Sequence, residues 1–160
     1  MSQRKRIAAI DIGTNSFHLI VVEIVSPQGR FRILDREKHI VRLGSGTTDM
    51  KYLSREAMER GIHVLHQFKM IANAAHAPVR AIATSAVREA LNRDEFLRRV
   101  AVGTGIKIEI ASGFEEARLI HLGILQALPV FRKKILVIDI GGGALNLLSG
   151  REEKSRIATA

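Results

Sequence analysis

Apolar residues recur along this chain with two different periods, and the switch between them marks out its elements. Up to Val41 they alternate with polar residues or run in short blocks, as half-buried and fully buried strands do. Arg6 to Gly13 and Phe17 to Val25 read as two such strands. Arg30 to Val41 reads as a third, entered through a turn at Pro27-Gln28-Gly29. Three strands joined by short turns make a meander. Leu43 to Tyr52, with Gly44-Ser45-Gly46 inside it, reads as a flexible connection, because no helix follows those glycines directly.

From Ser54 the period becomes helical. Met58, Ile62, Leu65, Phe68, Ala72 and Ala75 make one stripe of a long helix, with Ser54 as N-cap and Glu56 and Glu59 toward its positive end. Pro78 closes that region, and Val79 to Thr84 returns to strand. A short helix over Thr84 to Ala90 follows, then one capped by Asn92 from Arg93 to Val102, turned back by Gly103 to Gly105. Ile106 to Ile110 is a further strand, and Ser112-Gly113 opens a helix from Phe114 to Leu128, closed by Pro129. Strands first joined by short turns and then alternating with helical segments imply an α/β fold, a mixed sheet with helices on its faces. A new apolar strand then starts at Ile135, as the beginning of a second lobe too short to complete another layered domain.

Two stretches break the apolar pattern in the same way. Ala8-Ala9-Ile10-Asp11-Ile12-Gly13-Thr14-Asn15-Ser16 carries an aspartate within a strand and then turns through glycine and three small polar residues. Ile135 to Gly143 repeats the design, with Asp139 before Gly141-Gly142-Gly143. Such turns present backbone N–H groups to an anion without a bulky side chain intervening, and the carboxylate can hold Mg2+ that meets the same phosphates. The echo suggests two related lobes facing one cleft. Ser85 and Arg88 open the short helix, where N–H groups and a guanidinium favour an anion. Glu115 and Glu116 open a later helix, where acidic residues are common for dipole reasons alone. His63 and His66, one helical turn apart, have no third ligand in a matching pattern and read as helix surface.

Composition narrows the chemistry. The chain has 160 residues and no cysteine, which excludes thiolate catalysis, disulfides and cysteine-ligated zinc. Its 25 basic and 16 acidic residues leave a net charge of +9, which favours a polyanionic partner. Nucleic acid is the bland choice, but one Tyr and six Phe, mostly at apolar spacing, offer few stacking platforms. No GxxxxGK loop is present. No apolar run approaches bilayer length, and Asp11 interrupts the apolar residues after the basic Ser2-Gln3-Arg4-Lys5-Arg6. The expected place is therefore the cytoplasm, with no membrane partner.

Four motifs in order, Asp11-Ile12-Gly13-Thr14-Asn15-Ser16, Ala83-Thr84-Ser85-Ala86-Val87-Arg88-Glu89-Ala90, Ser112-Gly113-Phe114-Glu115-Glu116-Ala117-Arg118-Leu119-Ile120 and Asp139-Ile140-Gly141-Gly142-Gly143, resemble the exopolyphosphatase / guanosine pentaphosphate phosphohydrolase family. That resemblance implies a ribonuclease-H-like lobe of the actin-like ATPase superfamily over 1–130 and the truncated beginning of a second such lobe over 131–160. It also implies Mg2+-dependent hydrolysis of a terminal phosphoanhydride, on inorganic polyphosphate or a guanosine penta- or tetraphosphate. By the same resemblance Glu116 is the general base, and Asp11 and Asp139 serve the metal and attacking water. Arg88 and Ser85 would then hold phosphate, with Gly13, Thr14, Asn15, Ser16, Gly141, Gly142 and Gly143 as the cradle. Where the family places Ser-Thr-Glu after the second turn, this chain has Ala144, Leu145 and Asn146. That departure keeps a second expectation alive, a homologue that binds polyphosphate or alarmone without hydrolysing it. The sheet edge after Ile140 adds the expectation of a homodimer.

Overall fold

The structure is a computed structural model that describes residues 5–26, 30–45, 51–128, 135–140, 145–151 and 154–159. Its first three strands are β1 (Arg6–Ile12), β2 (Ser16–Ile24) and β3 (Phe31–Ile40), followed by α1 (Arg55–Ala74) and β4 (Val79–Ala83). Then come α2 (Ser85–Glu89), α3 (Arg93–Thr104), β5 (Ile108–Ile110) and α4 (Gly113–Ala127). The last strands are β6 (Ile135–Ile140), β7 (Leu145–Arg151) and β8 (Lys154–Thr159). The expected turn at Pro27-Gln28-Gly29 lies outside the described residues, as does Pro129.

The chain forms two compact units, Met1–Ile110 and Ala111–Ala160. In the first, one five-stranded sheet runs in the order β3-β2-β1-β4-β5. The β1–β2 and β2–β3 pairs are antiparallel, whereas β1–β4 and β4–β5 are parallel. Parallel pairing needs a crossover, and α1 supplies it between the meander and β4. Strand alternation sets which face is buried: Ala8, Ile10 and Ile12 of β1, and Phe17, Leu19 and Val21 of β2, all point into the core. Helix α1 meets them with Ala57, Met58, Gly61, Val64, Leu65, Phe68 and Ala72, and α3 adds Phe96 and Val100. Gly61 permits a close approach, since a Cβ there would lie 3.3 Å from the Phe17 ring. In the second unit β6, β7 and β8 form an antiparallel sheet in that order, and α4 packs on β7 and β8.

Local differences from the sequence reading have local causes. Ser54 does cap α1, accepting from the Ala57 N–H at 3.1 Å. Asn92 stands at the N-cap position of α3, yet its side chain makes no cap bond. It instead bonds both backbone groups of Leu53, at 2.9 Å each, and so ties the α1 lead-in to the α2–α3 turn. Helix α3 runs on to Thr104 and stops at Gly105, whose φ of 70° suits the left-handed cap. The stretch after it pairs only from Ile108, because Ile106 is spent on a core position and a bond from its N–H to Thr104 Oγ1.

Candidate active site

The first glycine turn lies where β1 ends. The Gly13 N–H donates to the Ser16 carbonyl at 3.2 Å, and a Cβ on Gly13 would come within 2.9 Å of that same oxygen. Only glycine lets the backbone close so tightly here. Asn15 is exposed, Ser16 half-buried and Thr14 buried. The turn is anchored from several sides. Thr84 N–H donates to the Ile12 carbonyl at 3.2 Å, across the parallel β1–β4 pair. Thr14 Oγ1 and Ser85 Oγ share a buried hydrogen bond of 2.9 Å, so the first residue of α2 is fastened to the turn. Carboxyl ends of parallel strands are where open α/β sheets place their ligands, and β1 and β4 both end at this point.

Asp11 sits two residues before the turn on the sheet face opposite Ile10 and Ile12, and it is exposed. Its partners in register are His18 on β2 and Ile82 on β4. The His18 ring in turn bonds Ser16, Nε2 to Oγ, at 2.9 Å. Arg88, on α2, is half-buried. Its Nε donates to Glu89 at 2.9 Å, and its carbonyl accepts from Arg93 at 3.0 Å. Thus Asp11, Gly13, Thr14, Asn15, Ser16, Ser85 and Arg88 all belong to one unit and lie at or beside the ends of β1 and β4.

The remaining expected residues belong to the second unit. Ser112 caps α4 by accepting from the Glu115 N–H at 3.1 Å. The adjacent carboxylates are then treated differently. Glu115 takes two bonds from Arg118, at 2.8 Å each, and these hold its carboxyl below the ordinary glutamate range. Glu116 is half-buried, and its N–H donates to the Ser112 carbonyl at 2.9 Å. Asp139 lies on β6 in register with Asn146 on β7. Gly141, Gly142, Gly143 and Ala144 lie outside the described residues. His63 and His66 are exposed on α1, and His63 is 3.3 Å from Gln67. Among the described residues no group of three or more His, Asp or Glu side chains could hold a metal unaided.

One part of the site has no counterpart in the sequence reading. The segment from Val41 to Ser45, which runs from the expected end of the third strand into the connection expected to be flexible from Leu43, is bonded to the turn: the Val41 and Arg42 N–H groups reach the Asn15 carbonyl, and the Gly44 N–H reaches that of Thr14. The available signal was the two-residue spacing of Val41 and Leu43, both buried, which carries the strand alternation past the end of β3.

A hairpin-led mixed sheet with a glycine-hydroxyl turn at the ends of its parallel strands defines a ribonuclease-H-like lobe of the actin-like ATPase superfamily. Within that class the chain belongs to the Ppx/GppA phosphatase family, whose profile matches residues 5–160. It is similar to an exopolyphosphatase from Cytophaga hutchinsonii, at 34% identity and a TM-score of 0.91 over 98% of this chain and 50% of that one. The Ppx/GppA family member of Aquifex aeolicus is 29% identical, with a TM-score of 0.84 over 99% of this chain and 51% of that one. The ethanolamine utilization protein EutJ from Carboxydothermus hydrogenoformans, at 16% identity and a TM-score of 0.56 over 99% of this chain and 52% of that one, shares the fold alone. The chain therefore spans about half the length of these relatives.

Proposed function

We propose that the chain forms the N-terminal part of a Mg2+-dependent phosphoanhydride hydrolase that removes the terminal phosphate of inorganic polyphosphate or guanosine pentaphosphate in the cytoplasm. The observation that carries this reading is the turn at Gly13, closed too tightly for a side chain and joined through Thr14 to Ser85. It offers N–H groups and hydroxyls together, and a net charge of +9 suits a polyanion with no base or sugar to grip. In this reading the lobes are 1–130 and the beginning of a second over 131–160.

Asp11 fits a hard cation. It is exposed at the strand end beside the turn, and Mg2+ prefers one or two carboxylates with water and phosphate oxygens over an all-protein cage. Asp11 and Asp139 would hold it, and when bound it neutralises phosphate oxygens. Gly13, Thr14, Asn15, Ser16 and Ser85 would cradle the terminal phosphate, Gly141, Gly142 and Gly143 would bind phosphate as the resemblance implies, and Arg88 would supply a guanidinium to its oxygens. Glu116 takes the proton of the water that attacks phosphorus in line, and the bond to the next phosphate's bridging oxygen breaks. The resemblance assigns that role to Glu116, the second carboxylate of the Glu115-Glu116-Ala117 motif, while Glu115 is bonded by Arg118.

A second reading is favoured by the register of β6 and β7. Asn146 is in backbone register with Asp139, and it stands where the resemblance places a family glutamate, so this chain has an amide at a position the family gives a carboxylate. The chain would then bind polyphosphate or alarmone without cleaving it. Phosphate release from long-chain polyphosphate with Mg2+ separates the two. Release by the chain that falls at least a hundredfold in Glu116→Gln, on the order of a general base's contribution, supports hydrolysis. Binding with no release in either protein supports the second reading, and equal release by both sinks the assignment of Glu116.

A further inference from the structure

We infer that Arg60 of α1, a residue outside all four motifs, is a positioning residue for the phosphate cradle and acts through the segment Val41–Ser45. The inference rests on the reading that the Gly13–Ser16 turn binds phosphate.

Three N–H groups of the segment end on two consecutive carbonyls of the turn. Val41 and Arg42 donate to Asn15 O at 2.9 and 2.8 Å, and Gly44 donates to Thr14 O at 3.1 Å. In a planar trans peptide the C=O and the following N–H point in opposite directions. Drawing the Thr14 and Asn15 carbonyls toward the segment therefore turns the Asn15 and Ser16 N–H groups away from it. Those are the donors that a phosphate in the cradle would meet.

The arrangement holds the backbone in an unfavourable shape. Two successive N–H groups converge on one oxygen with Arg42 at φ 53°, a region that residues other than glycine enter rarely. Such an outlier persists only where its surroundings over-determine it. Arg60 supplies that constraint. Its Nε donates to the Val41 carbonyl at 3.0 Å, and Nη2 donates to the Arg42 carbonyl at 3.3 Å and to Ser45 Oγ at 3.5 Å. Ser45 Oγ itself donates to the Arg42 carbonyl at 2.7 Å. A planar fork reaches all three acceptors at once, which a lysine ammonium on a flexible stem does not. The base of that fork is firm, because Ala57, Met58 and Gly61 bury this stretch of α1 against the core and Gly61 lies close to the ring of Phe17, the residue after the turn.

The test is titration of the 15N-labelled full chain with inorganic tripolyphosphate at a temperature where every variant is folded by amide dispersion. In the unaltered chain the Asn15 and Ser16 amide signals should shift and saturate. In Arg60→Ala the affinity should fall about tenfold, as when an outer-shell support is lost. Arg60→Lys should lose nearly as much, since charge is kept but the fork is not. Arg55→Ala removes the same charge from the same helix, where Arg55 pairs with Glu59, and should stay within about twofold of the unaltered chain at moderate salt. Equal losses in Arg55→Ala and Arg60→Ala, or full affinity in Arg60→Ala, would overturn the inference. Should Arg60→Ala not fold, amide exchange in the unaltered chain decides. Tripolyphosphate should slow exchange at Val41, Arg42 and Gly44 more than at Ala8, whose N–H bonds Pro78, and uniform slowing overturns the inference. An unaltered chain whose Asn15 and Ser16 signals ignore tripolyphosphate would instead overturn the cradle reading itself, and this inference with it.

Discussion

Glu115 and Glu116 are neighbours of one residue type, and their surroundings separate them. Arg118 stands one helical turn after Glu115, and its hydrogen bonds, then its charge, hold the Glu115 carboxyl low. The lowered value sets the sign of the pH effect. The contribution of the pair is fully present above the pKa of the unfolded chain and is lost as pH falls through the depressed folded value. Glu115 is well exposed, so the effect on stability is small and screened by salt. A 13C titration of the Glu115 carboxyl should find a midpoint below that of an ordinary glutamate, moved back upward by Arg118→Ala. No movement in that variant would show that Arg118 is not the cause. The spacing of Glu115 and Arg118 was legible in the sequence. Which of the two glutamates it committed was not, because acidic residues in a first helical turn look alike until the rotamers are known.

Among the elements, the meander is tied together by an ion pair at a position that the hydrophobic pattern alone assigns to the core. Glu23 continues the buried phase of β2, after Phe17, Leu19 and Val21, and only 5% of its side chain is exposed. The strand register explains why a carboxylate is tolerated there. Arg6 of β1 and Arg32 of β3 are its partners across the two antiparallel ladders, at 3.4 and 2.9 Å. Arg6 does more than neutralise it, for its Nη1 donates to the Ala75 carbonyl at the end of α1, at 3.0 Å. A cation at a helix C-terminus is favourable on its own account. Arg6→Met should therefore cost about 1–3 kcal/mol by urea denaturation, and Arg32→Met less, about 1 kcal/mol or below, because Arg32 is largely exposed and bonds Glu23 alone among the contacts described. Equal losses would remove the helix-end contact from the account.

For the molecule as a whole, the core is unevenly shared. Every member of the principal buried cluster, from Ala8 to Ile106, lies within the unit Met1–Ile110. That unit also contains the five-stranded sheet and the helices α1, α2 and α3, all of which contribute to the cluster. A fragment of residues 1–110 should then fold by itself, with a dispersed amide spectrum and one cooperative thermal transition. A fragment lacking the transition would show that the rest of the chain is needed to complete this core. If the fragment folds, tripolyphosphate titration on it also asks how much of the anion site the first unit carries without Glu116 and Asp139.

The sequence by itself determined the kinds of element, their order, and the glycine turn with its aspartate, because period, caps and turn chemistry are properties of neighbouring residues. It also carried the family resemblance, since motifs are local strings kept in order. Tertiary structure decided what those strings touch. Thr14 and Ser85 stand 71 residues apart and share one buried hydrogen bond, which follows only once β4 has joined β1 in parallel. Asn92 could have capped its own helix and instead satisfies Leu53, a choice set by which backbone groups burial left in need. The segment after β3 read as a loose connection because glycine and serine say nothing of partners. Its order comes from carbonyls on the turn and from a guanidinium on α1, and non-local hydrogen bonds of this kind leave no period in the chain.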